Sequence, residues 1–222
     1  MKILILALGL LSGLLSGLAW PGGGAAVARP VSYPGGWTAI QETDPVMNRL
    51  LVHYSPTARQ SIGALVERNR DDGWWFTGMQ TTRLLQRWNT RETQANLYLS
   101  GALGLAHPDE DRHPGTQSGL GGFAAIAADW ESRRLFTSYA GRMTVAGGVP
   151  DRFMQSARLG FAPYIAPYGS LHTWLMVQID HRPGNEDEIA VTPLIRLFKS
   201  VFLFEAGISD SGEALVNWTY RF

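Results

Sequence analysis

From residue 36 to its last residue the chain alternates apolar and polar positions over short stretches, and each stretch ends in Gly, Pro, Asn, Asp or Ser. Alternation at period 2 sends successive side chains to opposite faces of a strand, whereas an amphipathic helix repeats near 3.6, a period almost missing here. The pattern predicts about twelve strands, near 36–43, 49–55, 60–68, 74–88, 94–106, 121–131, 134–146, 153–165, 171–181, 188–198, 201–208 and 214–222. Many approach the ~9–11 residues with which a tilted strand crosses a bilayer.

The two faces of these strands differ in chemistry. In the last strand Ala214, Val216, Trp218, Tyr220 and Phe222 share one face, and Leu215, Asn217, Thr219 and Arg221 the other. In 171–181, Leu171, Thr173, Leu175, Val177 and Ile179 oppose His172, Trp174, Met176, Gln178 and Asp180. The segments 134–146 and 201–208 divide in the same way. If the chain starts on the inner side of a membrane, the inward turns are short: 56–59, 89–93, 132–133, 167–170 and Ser200. The outward connections tend to be longer and more polar, above all His107 to Gly119, with Asp109-Glu110-Asp111 inside it.

Composition narrows the choice. Lys+Arg and Asp+Glu are 19 each, so the chain has no general electrostatic attraction for nucleic acid or for an anionic membrane surface. Cysteine is absent, which excludes disulfides and thiolate metal sites. Lys2 is followed by the apolar run Ile3 to Ala19, then Gly22 to Gly24 and Ala26-Val27-Ala28, a small-x-small pattern of the kind signal peptidases cut. The reading is a signal peptide over 1–28, cleaved at Ala28|Arg29 with Ala19 as an earlier alternative, and one domain over 29–222. A retained transmembrane anchor is the competing reading of the same run.

Trp218-x-Tyr220-x-Phe222 at the very end resembles the terminal β-signal of Gram-negative outer-membrane barrel proteins. Segments 51–59 and 171–176 are similar to those of a small family of such proteins, from which no activity carries over. The resemblance implies an all-β fold, a single antiparallel transmembrane β-barrel of about twelve strands. It also implies export to the cell outer membrane, contact with outer-membrane lipid and lipopolysaccharide, and a last strand read by the barrel-assembly machinery before it pairs with the first. A soluble lipocalin-like barrel or sandwich would alternate too. Against it, aromatic residues gather at one set of strand ends: Trp37, Trp88, Trp130, Tyr164, Phe198, Phe202 and Trp218 to Phe222. Trp74, Trp75, Phe123 and Phe153 stand at the other.

With that orientation the polar and charged residues expected in the lumen are Glu67, Arg83, Asp129, Arg142, Arg158, His172, Asp180, Arg196, Glu205 and Arg221, with His53. They serve either as a constriction for small polar or anionic solutes or as a ladder of ion pairs filling a narrow interior. The functional expectation is a narrow channel or transport accessory. The alternatives are a structural or surface-binding barrel without conductance and a lipid-modifying enzyme. For the last, His53 and Ser55 share a face, but Glu67 and Glu42 lie roughly 16 Å and 10 Å away along the strands, too far to orient the histidine. Five histidines, at 53, 107, 113, 172 and 181, show no strand-borne ligand spacing. His107, the acidic run and His113 form the densest group of hard ligands, more simply read as a hydrated loop. No cofactor and no metal are expected.

Overall fold

A computed structural model of the chain describes residues 30–167, 169–184 and 188–222; the signal peptide expected over 1–28 lies outside them. Twelve strands follow one another: β1 (Trp37–Thr43), β2 (Met47–Thr57), β3 (Gln60–Asn69), β4 (Trp74–Asn89), β5 (Thr93–Pro108) and β6 (Gly119–Ser132), then β7 (Leu135–Ala146), β8 (Arg152–Phe161), β9 (His172–His181), β10 (Ile189–Lys199), β11 (Phe202–Ile208) and β12 (Ala214–Arg221). Each pairs antiparallel with its neighbours in sequence, and β12 pairs with β1, so the sheet is a closed barrel without free edges. The expected fold class is the observed one.

The closing seam is made by the last residues of the chain. Thr38 lies opposite Arg221 and Thr43 opposite Val216. Trp37 N–H donates to the Phe222 carbonyl at 2.8 Å, and Phe222 N–H returns the bond to Trp37 at 3.0 Å. Both chain ends of the barrel therefore lie at one rim, here the terminal end; the opposite rim is the far end.

Closure divides the side chains into an inner and an outer set. On β12 Leu215, Asn217 and Thr219 are buried in the interior, while Ala214, Val216, Trp218 and Tyr220 point out with Phe222. The outward set around the barrel is apolar and exposed, with Leu50, Ile62, Leu103, Ile126, Leu159 and Ile195 among it. Trp37, Trp88, Trp130, Phe202 and Tyr220 stand outward near the terminal end, and Trp75 and Phe153 near the far end.

Four aromatic or charged positions depart from the expected faces. Trp74 and Trp75 cannot share a face at period 2: Trp75 is 45% exposed, and Trp74 is 2% exposed and points inward. Phe123 is buried inside, and Phe198 faces inward against His172, ring centroids 6.1 Å apart. Arg83 is the correction among the expected lumen residues. Phe76, Gln80, Thr82 and Leu84 point inward, so Arg83 points out, opposite Gln60 at the terminal rim. The pairing of β4 with β5 then shifts between Leu84 and Gln86, and this bulge turns Arg87 into the lumen instead.

The connections follow the expected asymmetry in part. At the terminal end, residues 58–59, 90–92, 133–134 and 200–201 are tight turns, with Ser200 at φ 57°. The segment 162–171 at the same end is as long as the far-end connection 109–118. Far-end residues 44–46 and 70–73 are themselves short. The sequence asymmetry therefore overstates the difference between the rims.

Candidate functional site: the charged lumen

Inside the barrel lies a cavity of about 380 Å³ whose lining includes Glu42, Arg49, Arg142, Arg158, Arg196 and Glu205. Its middle is organised around two glutamates, each held between two arginines. The carboxylate of Glu67, on β3, accepts from Arg142 of β7 at 2.6 and 2.8 Å, in a two-pronged pair that crosses the lumen. Arg49 on β2 stands 3.9 Å from the same carboxylate, bonds Glu42 at 2.9 Å, and donates to Gln80. Both guanidiniums lie over the Phe123 ring, at 3.8 Å for Arg142 and 5.9 Å for Arg49. The ring face adds to the hold of Glu67 on Arg142, for which a cation over an aromatic face is favourable.

The second group repeats this chemistry on the other wall. Glu205 on β11 accepts from Arg196 Nε at 2.6 Å, from Arg158 Nη1 at 3.0 and 3.1 Å, and from Asn217 Nδ2 at 2.8 Å. Arg196 sits 4.7 Å above the Phe136 ring. Arg158 also donates to Gln178, whose amide reaches Asp180 at 2.7 and 2.9 Å. Arg182 lies 3.8 Å from both Asp180 and Asp44, tying β9 to the β1–β2 turn. Burial explains why each carboxylate is so heavily bonded. Glu67 and Glu205 are withdrawn from water, and an unpaired buried charge costs several kcal/mol, about 3–5 when one partner is lost.

The remaining expected lumen residues sit nearer the ends. Asp129 accepts from Asn96 at 2.7 Å, and Asn96 accepts from Arg87 at 2.7 Å. His172 packs on Phe198, and Arg221 lies inward beside Thr38 at the seam. Arg49, Arg87, Arg152 and Arg182 were not singled out from the sequence. Arg49 shares its face with His53 and Ser55, so period 2 along β2 was the available signal. At the far rim Arg152 bonds Asp72 at 2.5 and 3.0 Å, and Arg68 bonds Asp109 at 2.5 and 2.6 Å. The Arg68 bonds hold the Asp109 carboxyl below the usual carboxylate range.

The structure engages the His53–Ser55 pair differently from a catalytic dyad. Ser55 Oγ accepts the Ser32 N–H at 2.9 Å, and neither His53 nitrogen has a hydrogen-bond partner among the described residues. A base that neither reaches its nucleophile nor is oriented by an acid lacks the geometry of nucleophilic catalysis. Among the described residues no three His, Asp or Glu converge on a metal position. In the 107–113 stretch the groups are used locally: Glu110 accepts from Gly115 N–H at 3.1 Å, and His113 Nε2 meets the Asp72 carbonyl at 2.6 Å.

No family model and no curated protein matches the sequence. Solved structures do. A KdgM porin in complex with disordered oligogalacturonate superposes with a TM-score of 0.50 at 9% sequence identity, over 84% of this chain and 99% of that one. A KdgM porin matches at TM-score 0.46 and 10% identity over the same shares, 84% and 99%. A third structure, titled for the mechanism behind in-meso crystallization of membrane proteins, matches at TM-score 0.42 and 10% identity, over 85% of this chain and 83% of that one. At such identities the likeness is one of architecture: a closed twelve-stranded antiparallel barrel with a porin's fold.

Proposed function

We propose that the chain is exported by its N-terminal segment, inserts into the outer membrane of a Gram-negative cell, and forms a narrow passage for small polar and anionic solutes. The observation that carries this reading is the charge balance at the middle of the lumen. Arg49, Arg142, Arg158 and Arg196 meet Glu42, Glu67 and Glu205 there, so a small polar solute finds both guanidinium donors and carboxylates, and one carrying a carboxylate meets one guanidinium in excess. The apolar outer surface with aromatic residues near both rims supports placement in a bilayer, the terminal end facing the periplasm. Trp218, Tyr220 and Phe222 then face lipid and are offered to the assembly machinery, and the far-end connections face lipopolysaccharide. The oligogalacturonate of the KdgM complex is a polar solute in a barrel of this fold, which agrees with the same class of cargo.

The test is reconstitution in planar bilayers. Unitary conductance is expected, and its magnitude or anion preference should change in Arg142→Ala and Arg158→Ala; a folded barrel that stays electrically silent in the parent and in every variant overturns the reading. Membrane fractionation with heat-modifiable gel migration checks the location, and a soluble periplasmic protein would refute it.

One observation favours a second reading. The Glu67–Arg142 pair crosses the lumen and the remaining cavity is small. A barrel with these residues as filling would act through its far-end connection 109–118 as a surface-binding protein without conductance.

A further inference from the structure

The chain does not enter β1 directly from the rim. Residues 30–32 run inside the terminal end of the barrel, against strands well separated from β1 around the wall, and Tyr33, Pro34 and Gly35 stand exposed at the rim. Val31 is 4% exposed and packs in a cluster with Leu84 of β4 and Tyr98 of β5, with Ala127 of β6 against it. Ser61 Oγ on β3 donates to the Pro30 carbonyl at 2.7 Å. Ser32 N–H donates to Ser55 Oγ at 2.9 Å, Gly35 N–H to the Ser55 carbonyl at 2.8 Å, and Ser55 N–H to the Gly36 carbonyl at 3.0 Å. Ser55 and Pro56 thereby leave the β2–β3 ladder, whose register shifts between Tyr54 and Thr57. Pro30 is itself part of the lining of the central cavity.

We propose that residues 30–32, carried on the arm 30–36, are a plug that closes the terminal end of the lumen, and that its withdrawal opens the passage. The inference rests on the channel reading and adds the element that gates it. The composition suits a hinged arm. Pro30 and Pro34 fix their own φ angles and stiffen the arm. Gly35, at φ 82° with open space around its Cβ direction, supplies the hinge beside Gly36. The attachment is reversible in kind: one aliphatic side chain in a pocket and a few hydrogen bonds to Ser55 and Ser61. Ser32 Oγ is buried without a hydrogen-bond partner among the described residues, so the docked arm leaves a polar group that withdrawal would hydrate.

The chain has no cysteine, which makes the test direct. Ser32→Cys/Ser55→Cys places two thiols where backbone and side chain already touch, and Val31→Asp makes the docked arm unfavourable. Each variant is checked for barrel formation by heat-modifiable migration and then recorded in planar bilayers. Expected results are a conductance several-fold lower in the oxidised double-cysteine barrel than after reduction by dithiothreitol, and several-fold higher in Val31→Asp than in the parent. Conductance equal in the oxidised, reduced and Val31→Asp barrels overturns the plug and leaves the channel standing. Folded barrels that stay silent in every state, Val31→Asp included, overturn the channel reading, and the gate with it.

Discussion

The Arg142 guanidinium reaches from β7 across the lumen to Glu67 on β3 and bonds both carboxylate oxygens, at 2.6 and 2.8 Å. It lies at the same time over Phe123, a residue of the strand next to its own. One side chain therefore holds three parts of the wall in a fixed relation, and its removal should act on stability and on the lumen together.

Arg142→Ala leaves Glu67 with Arg49, 3.9 Å away, as its remaining cationic neighbour. The expected cost is about 3 kcal/mol, because a buried carboxylate that loses its bonded partner keeps its desolvation penalty. The heat-modifiable band should convert to the unfolded position at a lower temperature than in the parent. Arg142→Met combined with Glu67→Gln should regain most of the loss, since neither charge is then buried alone. A double variant as weak as Arg142→Ala would show that the pair is not the source of the stability.

Arg158→Ala should behave differently from Arg142→Ala. Glu205 retains Arg196 at 2.6 Å and Asn217 at 2.8 Å, so the stability loss should be smaller, about 1–2 kcal/mol. The lumen nevertheless loses one positive charge. In a conducting barrel the reversal potential under a salt gradient should move toward cation preference. An unchanged reversal potential with a changed unitary conductance would assign Arg158 a steric role instead.

The strand pattern was legible because period 2 leaves a single unknown, which face points inward, and the run Trp218-x-Tyr220-x-Phe222 settles that for β12. It settles β9 as well, where the apolar and mixed faces contrast clearly. On β4 the neighbouring Trp74 and Trp75 carry no phase information, because both are aromatic and only one can face out. The bulge after Leu84 then changes the phase within one uninterrupted strand, so Arg83 points out while Arg87, an even four residues on, points in. Period 2 pointed to some inward charges, Glu67 and Arg142 among them, but it missed Arg49 and Arg182 and gave no partners. Glu67 and Arg142 lie 75 positions apart, and they meet only through the curvature of a closed wall. The arm at 30–36 has no periodicity to read. Its fit depends on the shape of a pocket formed by three other strands.

The phase change on β4 can be measured with single cysteines in the natural cysteine-free background. A fluorophore on Arg83→Cys should be quenched by brominated lipid, because this position points out at the terminal rim. One on Arg87→Cys should be shielded from it. Arg87→Ala should also loosen Asn96 from its place beside Asp129, which Arg83→Ala should leave untouched. Equal quenching at the two positions would place the bulge elsewhere.

The far-end connection 109–118 is held to the wall by Asp109, and its pH dependence follows from the direction of that group's shift. The Arg68 hydrogen bonds lower the Asp109 pKa below its ordinary value of 3.8, so the folded carboxyl binds its proton less readily than the unfolded one. The sign is that of a depressed acid: the contribution to stability is complete above the ordinary aspartate value and is lost only as pH falls through the lower, folded value. A spin label at Gln117→Cys should therefore keep the same mobility from neutral pH down past the ordinary aspartate range, then loosen in stronger acid. Adding Asp109→Asn should give the mobile spectrum at every pH. Loosening that begins well above the ordinary aspartate value would assign the hold to a group other than Asp109.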